Sequence, residues 1–359
     1  MEIDTPKIRE QYQEKLLQWF DNELRDLPWR KTNDPYAIWI SEIMLQQTQV
    51  KTVLPYFNRF VEKFPDVFTL AGADLHQVLK LWEGLGYYAR ARNLHKAANV
   101  IVEKYQGRFP TSIEQIKALP GIGPYTAAAI SSISFGSALA VVDGNVERVL
   151  ARLFTMPTKS PADQKKTKAL AEQLLARKRP GDYNQAIMEL GALVCKPRNP
   201  LCDTCPVAEF CLAFKYQKQD SYPVKRPKKH RPHHLIAVGV VWHQGKILIA
   251  RRPENAMLGG LWEFPGGKVK DNESLEQTVQ REIREEMGIR VQVGAKITCI
   301  EHGYTHFSIT LCAFHCEYLS GTVKALASSE WRWISPDAIE NYAFPRANHK
   351  IFKALTQPK

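Results

Sequence analysis

From Lys7 to about Ala213, apolar residues recur three and four positions apart, β-branched runs are few, and Pro or Gly separates the segments. That period predicts a helical domain over residues 1–217. The pattern changes in the last third of the chain. There LIAVGVVWHQGKILIARR reads as two β-runs around His243-Gln244-Gly245, and HFSITLCAFHCEYL runs apolar like a strand. Between them, SLEQTVQREIREEMG predicts a helix ending at Gly288, a residue suited to a left-handed C-cap. A mixed α and β domain over 235–359 follows. Residues 218–234, KQDSYPVKRPKKHRPHH, carry three prolines and many cations but too few apolar side chains to bury a core, and predict a linker.

Composition sharpens this two-part reading. A chain of 359 residues, 44% hydrophobic, exceeds what one core usually serves and has material for two. The formal charge of +12 suits a polyanion, because each Lys or Arg that neutralises a phosphate releases condensed counterions. Nucleic acid is favoured over a small acidic metabolite, with the basic linker tracking it; basicity that serves only solubility is the other reading. No apolar run reaches bilayer length and MEIDTPKIRE lacks a secretory stretch, so no membrane partner and a cytoplasmic, nucleoid-associated location are expected. Of seven cysteines, four are bunched, while Cys299, Cys312 and Cys316 scatter through an apolar stretch. In a reducing compartment this predicts a metal site plus buried thiols, not disulfides.

Cys195, Cys202, Cys205 and Cys211 have six, two and five intervening residues, so four thiolates can converge on one soft-metal centre. A single tetrahedral zinc is the alternative, although zinc ribbons usually carry two CxxC pairs and only Cys202 and Cys205 form one here. Upstream, Leu119-Pro120-Gly121-Ile122-Gly123-Pro124 places Gly121 and Gly123 in a tight turn before an alanine-rich helix. Backbone N–H groups there can approach a phosphate at the positive end of a helix dipole. Such a turn is otherwise an ordinary helix connection. Asp143 follows in VVDGNVERVLAR, where an N-cap is its plain reading. Glu42 is a lone acid in the apolar helical run WISEIMLQQTQV; burial would raise its pKa, and a buried structural glutamate is its plain reading.

Turn, aspartate and cysteine loop in this order resemble the helix-hairpin-helix glycosylase superfamily. WISEIMLQQTQVKTVLPYF with LWEGLGYYARARNLHKAA resembles the MutY family of adenine DNA glycosylases, over nearly all of residues 8–213. The resemblance implies an all-α glycosylase domain closed by a 4Fe–4S loop that presents Lys196 and Arg198 to DNA. It implies Glu42 as general acid/base and Asp143 as the carboxylate that stabilises or captures an oxocarbenium ion. Gln49 and Tyr88 would fill or pry the base stack, and Arg30 and Gln185 would hold the extruded adenine; core for Tyr88 and a solvated face for Gln49 and Arg30 are the plain readings. Where the bifunctional endonuclease III branch carries a lysine, this chain has Tyr125, which cannot form an imine, so a monofunctional enzyme is expected. The implied partner is duplex DNA with an A·8-oxoguanine or A·G mispair, met by a monomer.

GKVKDNESLEQTVQREIREEMGI, residues 267–289, matches the full Nudix box in register through Gly267, Glu273, Arg281, Glu282, Glu285, Glu286 and Gly288. An α+β Nudix-fold domain is expected. On a helix Glu282, Glu285 and Glu286 share one face and could collect Mg2+; a salt-bridged surface with Arg281 and Arg284 is the other reading. In MutY relatives the domain resembles MutT, generally lacks the intact box, and reads 8-oxoguanine. Here either hydrolysis of a nucleotide such as 8-oxo-dGTP persists or the acidic helix is a relic. The resemblance implies a lesion-reading loop at YTHFSI, with Thr305 and His306 at the positions of a Ser-His pair between Tyr304 and Phe307; a satisfied structural histidine is the plain reading of His306.

Overall fold

The structure, a computed structural model, describes residues 3–356 apart from 4, 24, 159, 225–230 and 305. By compactness the chain forms two units, Met1–Ala71 with Lys96–Lys228 and Gly72–His95 with Lys229–Lys359. The first part of the chain is helical: α1 (Pro6–Glu23), α2 (Pro35–Leu45), α3 (Val50–Lys63), α4 (Val67–Ala71), α5 (Leu75–Trp82), α6 (Ala89–Tyr105), α7 (Ile113–Lys117), α8 (Pro124–Phe135), α9 (Gly144–Leu153), α10 (Pro161–Leu174), α11 (Pro180–Leu193) and α12 (Leu212–Lys215). Proline opens α2, α8, α10 and α11, where its missing N–H would have had no helical partner. Among the described residues, no helix is long and apolar enough to cross a membrane.

In the first unit, α1, α9, α10 and α11 turn amphipathic faces inward, and Tyr12, Phe20, Leu150, Leu174, Ile187 and Leu190 share one core. Phe210, from the cysteine segment, packs edge-on against Tyr12 at 5.9 Å, which ties that segment to the same core. Helices α2 and α8 follow a different rule. Ile38 through Met44 and Thr126 through Ser132 are buried without a break, so both helices run through the interior. A polar residue on either therefore faces protein or a cavity, not bulk water.

The second unit carries β1 (His233–His243), β2 (Lys246–Arg251), β3 (Trp262–Glu263), β4 (Gly266–Lys268), α13 (Leu275–Met287), β5 (Ile289–Gly303), β6 (Ser308–Gly321), β7 (Glu330–Ile334) and α14 (Asn348–Thr356). The strand order is β3-β2-β1-β6-β5, with β4 on β1 and β7 on β2; β1 and β6 run parallel and the other pairs antiparallel. Strand β1 is apolar in a run because both of its faces are covered. Ala237 and Val241 pack with Val279, Ile283 and Met287 of α13, while Val238 and Val240 pack with Phe344 and Ile351. At Gly239 a Cβ would come within 2.6 Å of Ile283 Cδ1, so the glycine admits α13 to the sheet. Ser274 caps α13 in a reciprocal box with Gln277, and Gly288 ends it at φ 71°, as its position predicts.

Two expectations change. The helical period of residues 72–95 places them with the first domain, yet they group with the second unit. Their charged ends decide this: Lys80 donates to the Tyr342 carbonyl, Glu83 accepts from the Phe344 N–H, and Arg92 donates to the Gly259 carbonyl. Cys299 and Cys312, expected as buried thiols, stand opposite each other on β5 and β6 and form a disulfide, with Cys299 exposed; Cys316 is a buried thiol.

Candidate active site

A cavity of about 1110 Å³ opens in the first unit between α2, α8, α9 and α11. Glu42 enters it from the interior face of α2 and is 6% exposed. The Tyr125 hydroxyl, from the first turn of α8, donates to Glu42 Oε2 at 3.1 Å. Burial pushes Glu42 up to about 7; the Tyr125 hydrogen bond opposes this, the charge of Asp143 adds to it, and Arg30 opposes it. A carboxyl with that proton affinity can donate near neutrality and accept afterwards.

Asp143 lines the same cavity as the N-cap of α9, accepting from the Val146 N–H at 2.7 Å and from Asn145 Nδ2 at 2.8 Å. One carboxylate thus caps the helix and faces the cavity. Burial moves its pKa upward as well, against the hydrogen bonds from Val146 and Asn145 and the charge of Arg148. Helix α11 meets α9 at Gly191, where a Cβ would lie 2.6 Å from Asn145 Cβ. Asn145 is held from that side.

The remaining expected residues divide. Gly123 is the N-cap of α8, Gly121 sits at φ 76°, and both are exposed, so the N–H groups opening α8 are accessible to an anion. Arg30 and the half-buried Gln185 line the cavity. Gln49 is exposed there too, but the residue displayed on a left-handed turn is Gln47, exposed at φ 56°. Tyr88 is 4% exposed and its hydroxyl accepts from the Gly84 N–H, which makes it core and not a wedge. Its neighbour Tyr87 is 40% exposed at φ 50°. Positive φ at a glutamine and a tyrosine is costly and marks constrained display. Nothing in the residue types distinguishes 47 from 49 or 87 from 88.

Cys195, Cys202, Cys205 and Cys211 are half-buried free thiols that line one small cavity of about 30 Å³ with Arg152, Phe214 and Gln219. Burial pushes Cys205 up to about 12 and Cys211 up to about 11, so a cationic centre is needed to hold them as thiolates. Arg152 Nη1 donates to Cys195 Sγ at 3.2 Å, as suits an anionic sulfur cage. Among the described residues, no three His, Cys, Asp or Glu side chains are grouped to hold a single metal ion. Four cysteine sulfurs around one small space form a soft, all-thiolate donor set that an iron–sulfur cluster fits.

The Nudix-box helix presents a different picture. The Arg281 guanidinium binds Glu273, Glu282 Oε1 at 2.7 Å and Glu285 Oε2 at 3.1 Å. Glu286 instead accepts from the Gly266 N–H at 3.1 Å, and burial, then the nearby charge of Glu263, push it up to about 7. The three glutamates are not converged on one ion position. In the loop around residues 304–307, Tyr304 and Phe307 stack at 4.7 Å, the Tyr304 N–H bonds the Phe307 carbonyl, and His306 is exposed. Thr305 lies outside the described residues.

Comparison with known proteins places these features in families. Residues 40–177 match the HhH-GPD superfamily base excision DNA repair protein, 195–211 the iron-sulfur binding domain of endonuclease III, and 237–354 the NUDIX domain. The adenine DNA glycosylase of Homo sapiens is 34% identical over 397 residues, covering 94% of this chain and 72% of that protein. That of Buchnera aphidicola subsp. Schizaphis graminum (strain Sg) is 35% identical over 302 residues, covering 83% and 85%. Among solved structures, a thermostable thymine-DNA glycosylase is 31% identical with a TM-score of 0.54, covering 58% of this chain and 97% of that one. An endonuclease III–DNA complex, at 22% identity and a TM-score of 0.52, covers 59% and 98% and shares the fold.

Proposed function

This chain belongs to the adenine DNA glycosylase family, and on that premise we propose that it excises adenine opposite 8-oxoguanine, and opposite guanine, with Glu42 and Asp143 at the two ends of the N-glycosidic bond. The observation that carries the reading is the buried Glu42, hydrogen-bonded by Tyr125 and lining one cavity with Asp143. Bond cleavage builds positive charge on the sugar while the base departs with the bonding electrons. Protonated Glu42 gives its proton to the departing adenine. Asp143 stabilises the oxocarbenium ion or captures it covalently. Glu42, now a carboxylate, takes a proton from the incoming water, so adenine and an abasic site leave and the acid is restored.

Other residues position the substrate. The Gly121–Gly123 turn offers N–H groups to a phosphate, and Arg30 and Gln185 hold the extruded adenine. Gln47 and Tyr87, not Gln49 and Tyr88, fill the stack left behind; their exposure and left-handed backbone support the exchange. Tyr125 has no amine to form an imine, so strand cleavage does not follow excision. The iron–sulfur cluster holds the loop that carries Lys196 and Arg198 toward DNA. Residues 304–307 read the lesion, and one chain acts as a monomer, since it carries both excision and reading residues. Single-turnover adenine release from an A·8-oxoguanine duplex tests the reading: Glu42→Gln and Asp143→Asn release adenine far more slowly than wild type. Equal rates in all three would overturn it.

A second reading concerns the Nudix box. Glu286, buried beside Glu263 and the Gly266 N–H, is a charge that a divalent cation would stabilise, which favours Mg2+-dependent hydrolysis of 8-oxo-dGTP. The Arg281 pairing of Glu282 and Glu285 favours a domain kept for reading DNA. Metal-dependent release of a nucleoside monophosphate, lost in Glu285→Gln, separates them.

A further inference from the structure

Glu189 lines the adenine cavity from α11 and is 2% exposed, yet none of the steps above uses it. Its carboxylate binds two cations. Arg30 Nη2 donates to Oε2 at 2.7 Å and Nη1 to Oε1 at 3.2 Å, while Arg25 donates through Nε and, at 2.6 Å, through Nη2. Arg30 is itself nearly buried, with its side chain 9% exposed, and lies 5.5 Å from the centre of the Phe20 ring. Two of its five N–H donors are spent on Glu189, and the fork has one geometry in which both bonds are made. A buried carboxylate shared by two guanidiniums is therefore a clamp on the orientation of Arg30. Burial alone would raise the pKa of Glu189, but the hydrogen bonds and charges of the two arginines outweigh it, so the clamp is charged.

We propose that Glu189 is a positioning residue for excision: it fixes Arg30 on the cavity wall as a donor to the extruded base and prevents that cation from swinging to pair with Glu42. The proposal rests on the assignment of Glu42 as the acid. The groups that face Glu42 are Tyr125 from α8, Asp143 at the start of α9 and Arg30 from the turn at residues 28–30; Arg25, Arg148 and Lys51 are the other cations lining the cavity. Among the groups that act on Glu42, Arg30 is the cation, and it favours the carboxylate. Removing the charge of Glu189 leaves two arginines uncompensated beside an acid that must keep its proton. The consequence is a Glu42 that ionises earlier as pH rises.

The experiment is the pH profile of single-turnover adenine release from a duplex with one A·8-oxoguanine pair, at saturating enzyme. In Glu189→Gln the descending limb moves to lower pH by about one unit, so release is roughly tenfold slower at pH 8 while the acidic side changes little. Arg25→Gln alone keeps the Glu189 bonds to Arg30, whereas Arg25→Gln with Glu189→Gln leaves Arg30 unclamped, so the limb of the double variant stays below that of Arg25→Gln. If the single variant fails to fold, the same shift is read between Arg25→Gln and the double variant. A uniform loss of rate at every pH, or an unmoved limb in both comparisons, overturns the proposal and leaves Glu189 a purely structural anion. A wild-type rate in Glu42→Gln would instead locate the failure in the assignment of the acid.

Discussion

Each unit gathers carboxylates, and the two sets differ in what faces them. Glu42 faces a neutral hydroxyl and a second carboxylate in a cavity, so its proton affinity is raised and no cation is bonded to it. Glu273, Glu282 and Glu285 converge on Arg281, which satisfies them, and the same arginine holds Glu273 low in the carboxylate range. An acid left without a bonded cation retains chemistry to perform, whereas a compensated one has become structure. Glu286 is the member of the second set that behaves like the first, because burial and Glu263 work on it and Arg281 does not bind it.

The comparison breaks most sharply at the reacting pair. Glu42→Gln is expected to slow adenine release by about 10³-fold and Asp143→Asn by about 10²-fold or more in single-turnover assays. Asparagine caps helices as well as aspartate does, so Asp143→Asn should leave the melting temperature unchanged and isolate the charge. Cys205→Ser should empty the cluster, read as lost iron by metal analysis, and should destabilise the first unit, whose core includes Phe210 beside the cysteines. Arg281→Ala should lower the melting temperature by on the order of 3 °C without changing adenine release from an A·G duplex, because it frees carboxylates that excision does not use.

The smallest effect is a pH dependence. The folded-state pKa of Glu286 lies above its ordinary value, at about 7, so protonated Glu286 contributes stability that is complete below the ordinary carboxylate range and is lost as pH rises through about 7. Glu286→Gln should therefore melt above wild type at pH 8, with the difference gone near pH 4. Equal curves at both pH values would mean that Glu286 is already compensated.

Much of this was legible in residue types. Four cysteines in a short segment, a Gly-Ile-Gly turn before an alanine-rich helix, and a lone glutamate in an apolar helix each force a local environment, and each stands where its pattern predicts. Display is a different matter. Gln47 and Gln49, or Tyr87 and Tyr88, have the same chemistry, and only the backbone φ and the packing of neighbours determine which one is exposed. The Arg281 pairing was one of two readings of the same helix, and periodicity cannot choose between them. Residues 72–95 are helical by period, but period carries no information about which unit a helix joins. The Cys299–Cys312 bond required the β5–β6 register, which runs unbroken from Gly303↔Ser308 to Cys299↔Cys312 and depends on where the hairpin turns, not on the spacing of the cysteines.

The close approach of α11 to α9 at Gly191 carries a consequence for heredity. Glycine is the residue there because an added Cβ would press on Asn145, whose amide donates to Asp143. A one-methyl change, Gly191→Ala, would thus disturb Asp143, the carboxylate proposed to react, without replacing any titrating group. On the proposed substrate, an adenine left opposite 8-oxoguanine templates thymine at the next replication. A cell carrying that allele alone would accumulate G·C to T·A changes while still making a folded, DNA-binding protein.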